Sequence, residues 1–172
     1  RFCNLATDTT ELAGYSITQF EIIQEITFSN PIYSKLISGS LTAGVYQYAY
    51  CLYNQNAGQS AYSPLSQFIQ VTETGLTTDS ALFSGSAIGV ATTSGIEITI
   101  NDSNTNFDYI RVVALFYSSP DSIPEITIIY EGNKTSNITI AHTGTQNLGS
   151  LSLEEAIASP IILIPKTISS KY

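Results

Sequence analysis

The sequence predicts an all-β protein, and three observations carry that prediction. Tyr46, Tyr48, Tyr50 and Leu52 alternate with Gln47, Ala49 and Cys51, a period of two that helices do not reproduce. Ile96, Ile98 and Ile100 alternate in the same way with Glu97 and Thr99. Clusters of Gly, Pro, Asn, Asp and Ser punctuate the chain at short, regular intervals, as they do in β-sandwiches. The expected architecture is two β-sandwich domains, over residues 1–75 and 76–160, followed by an extension or linker over 161–172.

The first expected strand covers residues 20–28 (FEIIQEITF). Phe20, Ile22, Ile26 and Phe28 share one parity, broken by Gln24, while Glu21, Glu25 and Thr27 share the other, which describes a half-buried strand. Asn30 and Pro31 end it, because proline has no N–H for a ladder. Residues 38–44 hold two glycines among small polar residues and read as a turn. The tyrosine strand follows. Its rings are expected to form a sheet core with hydroxyls reaching the rim, a ligand-stacking row being the alternative. A polar turn at Asn54, Gln55, Asn56, Ala57 and Gly58 leads to a second strand over residues 65–71, which completes a hairpin.

After Gly75, the polar run Thr77, Thr78, Asp79 and Ser80 marks the expected domain boundary. Residues 95–100 (GIEITI) then form a half-buried strand. Residues 107–117 (FDYIRVVALFY) are apolar on both parities and so form a central strand covered on both faces. Ser118, Ser119, Pro120 and Asp121 turn the chain, residues 124–132 (PEITIIYEG) return it, and residues 136–142 (SNITIAH) add another strand. The one helical signal is Ser152 before Leu153, Glu154 and Glu155, a capping box with acidic residues in its first turn, stopped by Pro160. The first domain lacks obvious strands before residue 20, so it is either incomplete or finished by another chain.

Composition narrows the function. Only 12% of the 172 residues are charged, while 43% are hydrophobic, so the chain is rich enough in apolar residues to fold yet carries about half the usual charge. Six Lys and Arg against fourteen Asp and Glu give a net charge of −8, which offers nucleic acid no basic footprint. No apolar run approaches a membrane span. Cys3 and Cys51 make neither a disulfide framework nor a zinc set and read as two free, packed thiols, with one bridge as the alternative.

Chemical motifs are sparse. His142, the only histidine, ends a strand and is expected to be exposed or capping rather than a catalytic base. No Gly-x-Ser-x-Gly elbow presents a nucleophile, and Gly85, Ser86 and Gly89 lack the lysine of a phosphate loop. Glu154 and Glu155 suit a helix start better than glycoside cleavage. No catalytic residues and no cofactor are therefore expected. A weak calcium candidate remains: Asp102, Asn104, Asn106 and Asp108 fall at every second position, but Phe107 stands where a helical calcium hand needs glycine and no closing glutamate follows. The alternative is a loop of Asx turns. Asn101, Asn133 and Asn137 open formal glycosylation sequons of the kind that Thr-rich loops produce by chance. Arg111, a charge in the most apolar strand, is expected to pair with Glu125 or Glu131, or to contact another subunit.

Two resemblances give these features a setting. Leu41, Gly44, Tyr46, Asn54, Gly58, Ser60 and Pro64 resemble the last two strands of a fibronectin type III domain, with a Leu-to-Tyr spacing one residue shorter than usual. This makes the expected fold two immunoglobulin- or fibronectin III-like β-sandwich domains. Over nearly the whole chain, the segments GYSITQFEI, LTAGVYQYAYCLYNQNAGQSAYSPLS, FDYIRVVALFY, PEITIIYEG and LSLEEAI…IPKTISSKY, in that order, resemble the large tail stabilization or muzzle proteins of crAss-like bacteriophages. That resemblance implies a structural, non-enzymatic virion protein of the phage tail. Its β-modules would pack with other subunits of the same protein in a ring, and with neighbouring tail proteins, for genome retention and delivery. It also implies an internal piece of a longer chain, in keeping with Arg1 and the absence of Met. A cell-surface adhesion or carbohydrate-binding module is the alternative, with residues 53–62, bounded by Tyr53 and Tyr62, as its binding region.

Overall fold

In the computed structural model, the residues described are 23–24, 27–55, 58–73, 86–119, 121–157 and 164–165. Among them the strands are β1 (Ile23–Gln24), β2 (Ile32–Ser38), β3 (Gly44–Tyr53), β4 (Ile69–Val71), β5 (Ser94–Asn101), β6 (Tyr109–Tyr117), β7 (Glu125–Asn133), β8 (Asn137–His142), β9 (Gly149–Leu151) and β10 (Ile164–Pro165), with one short helix, α1 (Leu153–Ile157). The chain divides into two compact units, one of Arg1–Thr27 with Ile162–Tyr172 and one of Phe28–Ile161. In the first, β1 pairs antiparallel with β10.

The second unit is a β-sandwich. Its three-stranded sheet has the order β2-β5-β8 and its five-stranded sheet the order β4-β3-β6-β7-β9, with every pairing antiparallel. The facing sides meet through Tyr46, Tyr48, Tyr50 and Leu52 of β3, Ile110 and Val112 of β6, and Ile96, Ile98 and Ile100 of β5, all buried. Each such side chain withdrawn from water stabilises the fold by about 1.5–3 kcal/mol. β6 is apolar on both parities because both of its faces are covered. Its other face places Val113 and Leu115 in a second cluster with Ala49 and Ile126, against which Tyr62, Leu151 and Ala156 pack.

The all-β class is therefore as the sequence predicts, but the strands are distributed differently. The expected boundary at Gly75 falls inside Phe28–Ile161. β2 and β3, before it, pair with β5 and β6, after it. The physical reason is that β4 covers only Gly44, Val45 and Tyr46 of the ten-residue β3, and β6 satisfies the other edge along nine consecutive positions. β2 is a strand the sequence does not announce, since its mixed, mostly exposed pattern and the irregularity between Tyr33 and Lys35 blur the alternation of an edge strand. The strand expected over residues 20–28 lies largely outside the described residues, which place β1 at Ile23–Gln24 and leave Phe28 outside any strand. The strand expected over residues 65–71 shortens to β4. Pro160 and most of the 161–172 extension also lie outside the described residues.

Candidate functional site

The segment before β4 replaces strand pairing with a serine ladder. The N–H groups of Ser60, Ser63 and Ser66 donate to the carbonyls of Leu52, Tyr50 and Tyr48 at 2.8, 2.7 and 2.8 Å. In return, the N–H groups of Leu52, Tyr50 and Tyr48 donate to the Oγ atoms of the same serines at 2.8, 3.1 and 3.0 Å. Three residues of this segment thus advance alongside two of β3. A plain ladder cannot absorb the extra residue, so each serine hydroxyl stands in for a carbonyl that has turned away. The period-three serines beside period-two aromatics are the sequence signal for this arrangement.

The calcium candidate is organised around a lysine. Asp102 is buried at the end of β5. Its Oδ2 accepts the Tyr50 hydroxyl at 2.8 Å, and its Oδ1 accepts the Asn104 N–H at 2.8 Å. Lys134 Nζ lies 3.4 Å from Oδ1 and donates to the carbonyls of Asp102, at 3.0 Å, and Asn104. Asn104 Oδ1 accepts the Asn106 N–H at 2.9 Å, and Asp108 donates its N–H to Asn54 Oδ1 at 2.8 Å, while its own side chain faces solvent. Asp102 and Asn104 therefore make two successive Asx turns beside a built-in ammonium, which occupies oxygens that a calcium ion would need, while Asp108 stands apart from them. Burial, with Asp102 adding to it, pushes the Tyr50 phenol above its ordinary range.

His142, expected from its place at a strand end to be exposed or capping, is buried. β8 sets it opposite Ile96, on the same parity as Ile138 and Ile140, which sends it into the sandwich. Its Nδ1 lies 3.0 Å from the fully buried Tyr48 hydroxyl, and its ring meets Tyr46 and Tyr48 edge-on. Burial lowers its pKa to about 4.

Arg111 resolves onto Glu131, directly opposite on β7, rather than Glu125. Its Nη1 donates to Gln59 at 3.1 Å, and its guanidinium sits 5.4 Å from the centre of the Tyr53 ring, which stacks on Tyr109. Burial opposes the guanidinium charge, but Glu131 outweighs it and the pKa rises. Cys51, opposite Arg111 on β3, is a free and buried thiol that burial pushes up to about 11; Cys3 lies outside the described residues. The capping box at α1 forms as predicted: Ser152 donates its N–H to Glu155 Oε2 at 2.8 Å and accepts the Glu155 N–H at 3.1 Å. Those hydrogen bonds lower the exposed Glu155 carboxyl. Asn101, Asn133 and Asn137 stand at ends of β5, β7 and β8.

Fold and clusters together define a class: an all-β sandwich protein in which internal polar contacts join Asp102 to Lys134 and Tyr50, and His142 to Tyr48. The chain belongs to the Crassvirus muzzle protein family, whose profile matches residues 1–171. Membership makes it a component of a bacteriophage virion, with a structural role alongside other virion proteins. No curated protein matches the chain. Among the described residues, no helix is long and apolar enough to cross a membrane.

Proposed function

We propose that the chain is a non-enzymatic packing module of the phage tail, one of many β-modules that close a ring or tube for genome retention and delivery. Its partners are other subunits of the same protein and neighbouring tail proteins. The observation that carries this reading is the match of residues 1–171 to the muzzle family. Three features support it. The polar groups that could do chemistry are engaged: Asp102 with Lys134, His142 with Tyr48, and Arg111 with Glu131. Apolar side chains stand out at the surface, with Phe68 at 67% exposure and Ile88 at 50% flanking a groove of about 430 Å³, which suits contact with a neighbour. A low charge density lets large interfaces form without desolvating many ions.

The module fold in this proposal is immunoglobulin-like. β3 lies between β4 and β6, as the sixth strand of that fold lies between the seventh and third, although here the hairpin comes first in the chain. A net charge of −8 facing a channel would repel DNA and keep it from adhering. Cryo-electron microscopy of the intact virion tests the whole proposal: the chain should map into a symmetric ring at the tail, with acidic side chains facing the lumen. A position in the head or on a fibre overturns the tail assignment, and acidic residues wholly buried between subunits overturn the lining role. In the carbohydrate-binding alternative, Tyr53 remains half-buried, stacked on Tyr109 with the Arg111 guanidinium over its ring, and glycan-array binding by the chain would favour that reading.

A further inference from the structure

We propose that a cavity beside His142 binds a single neutral sugar residue. The cavity has a volume of about 220 Å³ and opens where β6 ends and β7 begins, lined by Phe116, Glu125, Thr127, His142, Gln146 and Asn147 among others. The two turns that bound it are locked together. Ser40 donates its N–H to the Thr143 carbonyl at 2.7 Å. Gly144, at φ +90°, lies so close to Ser40 that a Cβ would come within 2.8 Å of its carbonyl carbon. Such a site is formed before the ligand arrives, so little ordering opposes binding.

The lining sets the ligand chemistry. The buried Tyr48 hydroxyl has Nδ1 of His142 as its partner, at 3.0 Å. A buried phenol must place its proton, so Tyr48 donates to Nδ1 and the neutral ring carries its own proton on Nε2. His142 therefore offers a ligand a fixed donor. Glu125 offers a fixed acceptor, while Thr127 and Asn147 offer both kinds of group. Gln146 is engaged, its Oε1 accepting the Thr143 N–H and its Nε2 donating to the Ala141 carbonyl, each at 3.0 Å, and it shapes the wall. Tyr46 and Phe116, with ring centres 5.0 Å apart, supply an apolar side for the C–H face of a ring. Fixed donor, fixed acceptor and amphoteric groups around one apolar wall suit a polyol, since each of its hydroxyls both donates and accepts. A phosphate or carboxylate would face Glu125, and an ammonium group would face the Nε2 proton.

The test is a titration of the full 172-residue chain, followed by amide correlation spectra, with glucose, galactose, mannose and N-acetylglucosamine in turn. Phosphate and ethylammonium serve as contrasts. Saturable shifts at Glu125, Thr127 and residues 142–147 are expected with at least one sugar and with neither contrast ion. Thr127→Val, a near-isosteric change at a half-buried position, should weaken that binding by about tenfold while leaving the spectrum dispersed. Three results overturn the proposal: no saturable shift with any sugar, equal saturation by either contrast ion, or sugar shifts that Thr127→Val and Asn147→Ala both leave unchanged. None of them bears on the tail role, which rests on the family match.

Discussion

Burying a lone histidine makes stability depend on pH. The pKa of His142 is about 4 in the fold against an ordinary value of 6.5, so as pH falls the unfolded chain takes up the proton first. The contribution is complete above the unfolded value and is lost as pH drops towards the folded one. Between about pH 7 and about pH 5 this removes about 2 kcal/mol, readable as a fall in the urea midpoint that His142→Gln should flatten. An unchanged slope in that variant would show that other groups govern the transition. Lys134 leads to a second expectation. Because its ammonium already sits on Asp102 and on two loop carbonyls, millimolar calcium should leave the melting temperature unmoved, and a rise of several degrees would support the calcium reading instead. The parity that buries His142 is visible in the sequence through Ile138 and Ile140. The Asp102–Lys134 pair is not, because the partners stand 32 residues apart and only the meeting of two loops joins them.

At the scale of the element, β3 is legible from its alternating rings, yet the alternation identifies only one buried face. Gln47, Ala49 and Cys51 are buried as well, because the outer face of the five-stranded sheet carries its own cluster. The serine segment shows why the second hairpin strand reads too long from sequence: apolar residues at 65, 68, 69 and 71 suggest a strand, but register is decided by how three residues can be fitted against two. Removing one hydroxyl leaves a buried N–H of β3 without an acceptor, so Ser63→Ala should cost about 1–3 kcal/mol. The exposed Ser150→Ala should stay within about 0.5 kcal/mol. Equal denaturation midpoints for the two variants would mean that the ladder contributes nothing to stability. α1, by contrast, is readable entirely from local chemistry, since both halves of its capping box lie within four residues.

For the whole molecule, the sandwich mixes strands from both sides of Gly75. A fragment of residues 76–172 therefore loses β2 and β3, exposing one edge of β5 and one edge of β6. It should give a poorly dispersed amide spectrum and no cooperative unfolding, and a dispersed, cooperative fragment would reinstate the boundary expected from the polar run after that glycine. The same mixing explains what each level of description could decide. By itself the sequence determined the all-β class, the tyrosine and isoleucine strands, the doubly covered β6 and the capped helix. These depend on period-two patterns and short-range hydrogen bonds, which a few neighbouring residues specify. Only the tertiary structure decided which strands lie side by side, that His142 meets Tyr48 across 94 residues, and that an ammonium fills the acidic loop. Those outcomes depend on closing long loops and on matching two sheets face to face, and many sequences with the same local alternation could satisfy that requirement in different ways.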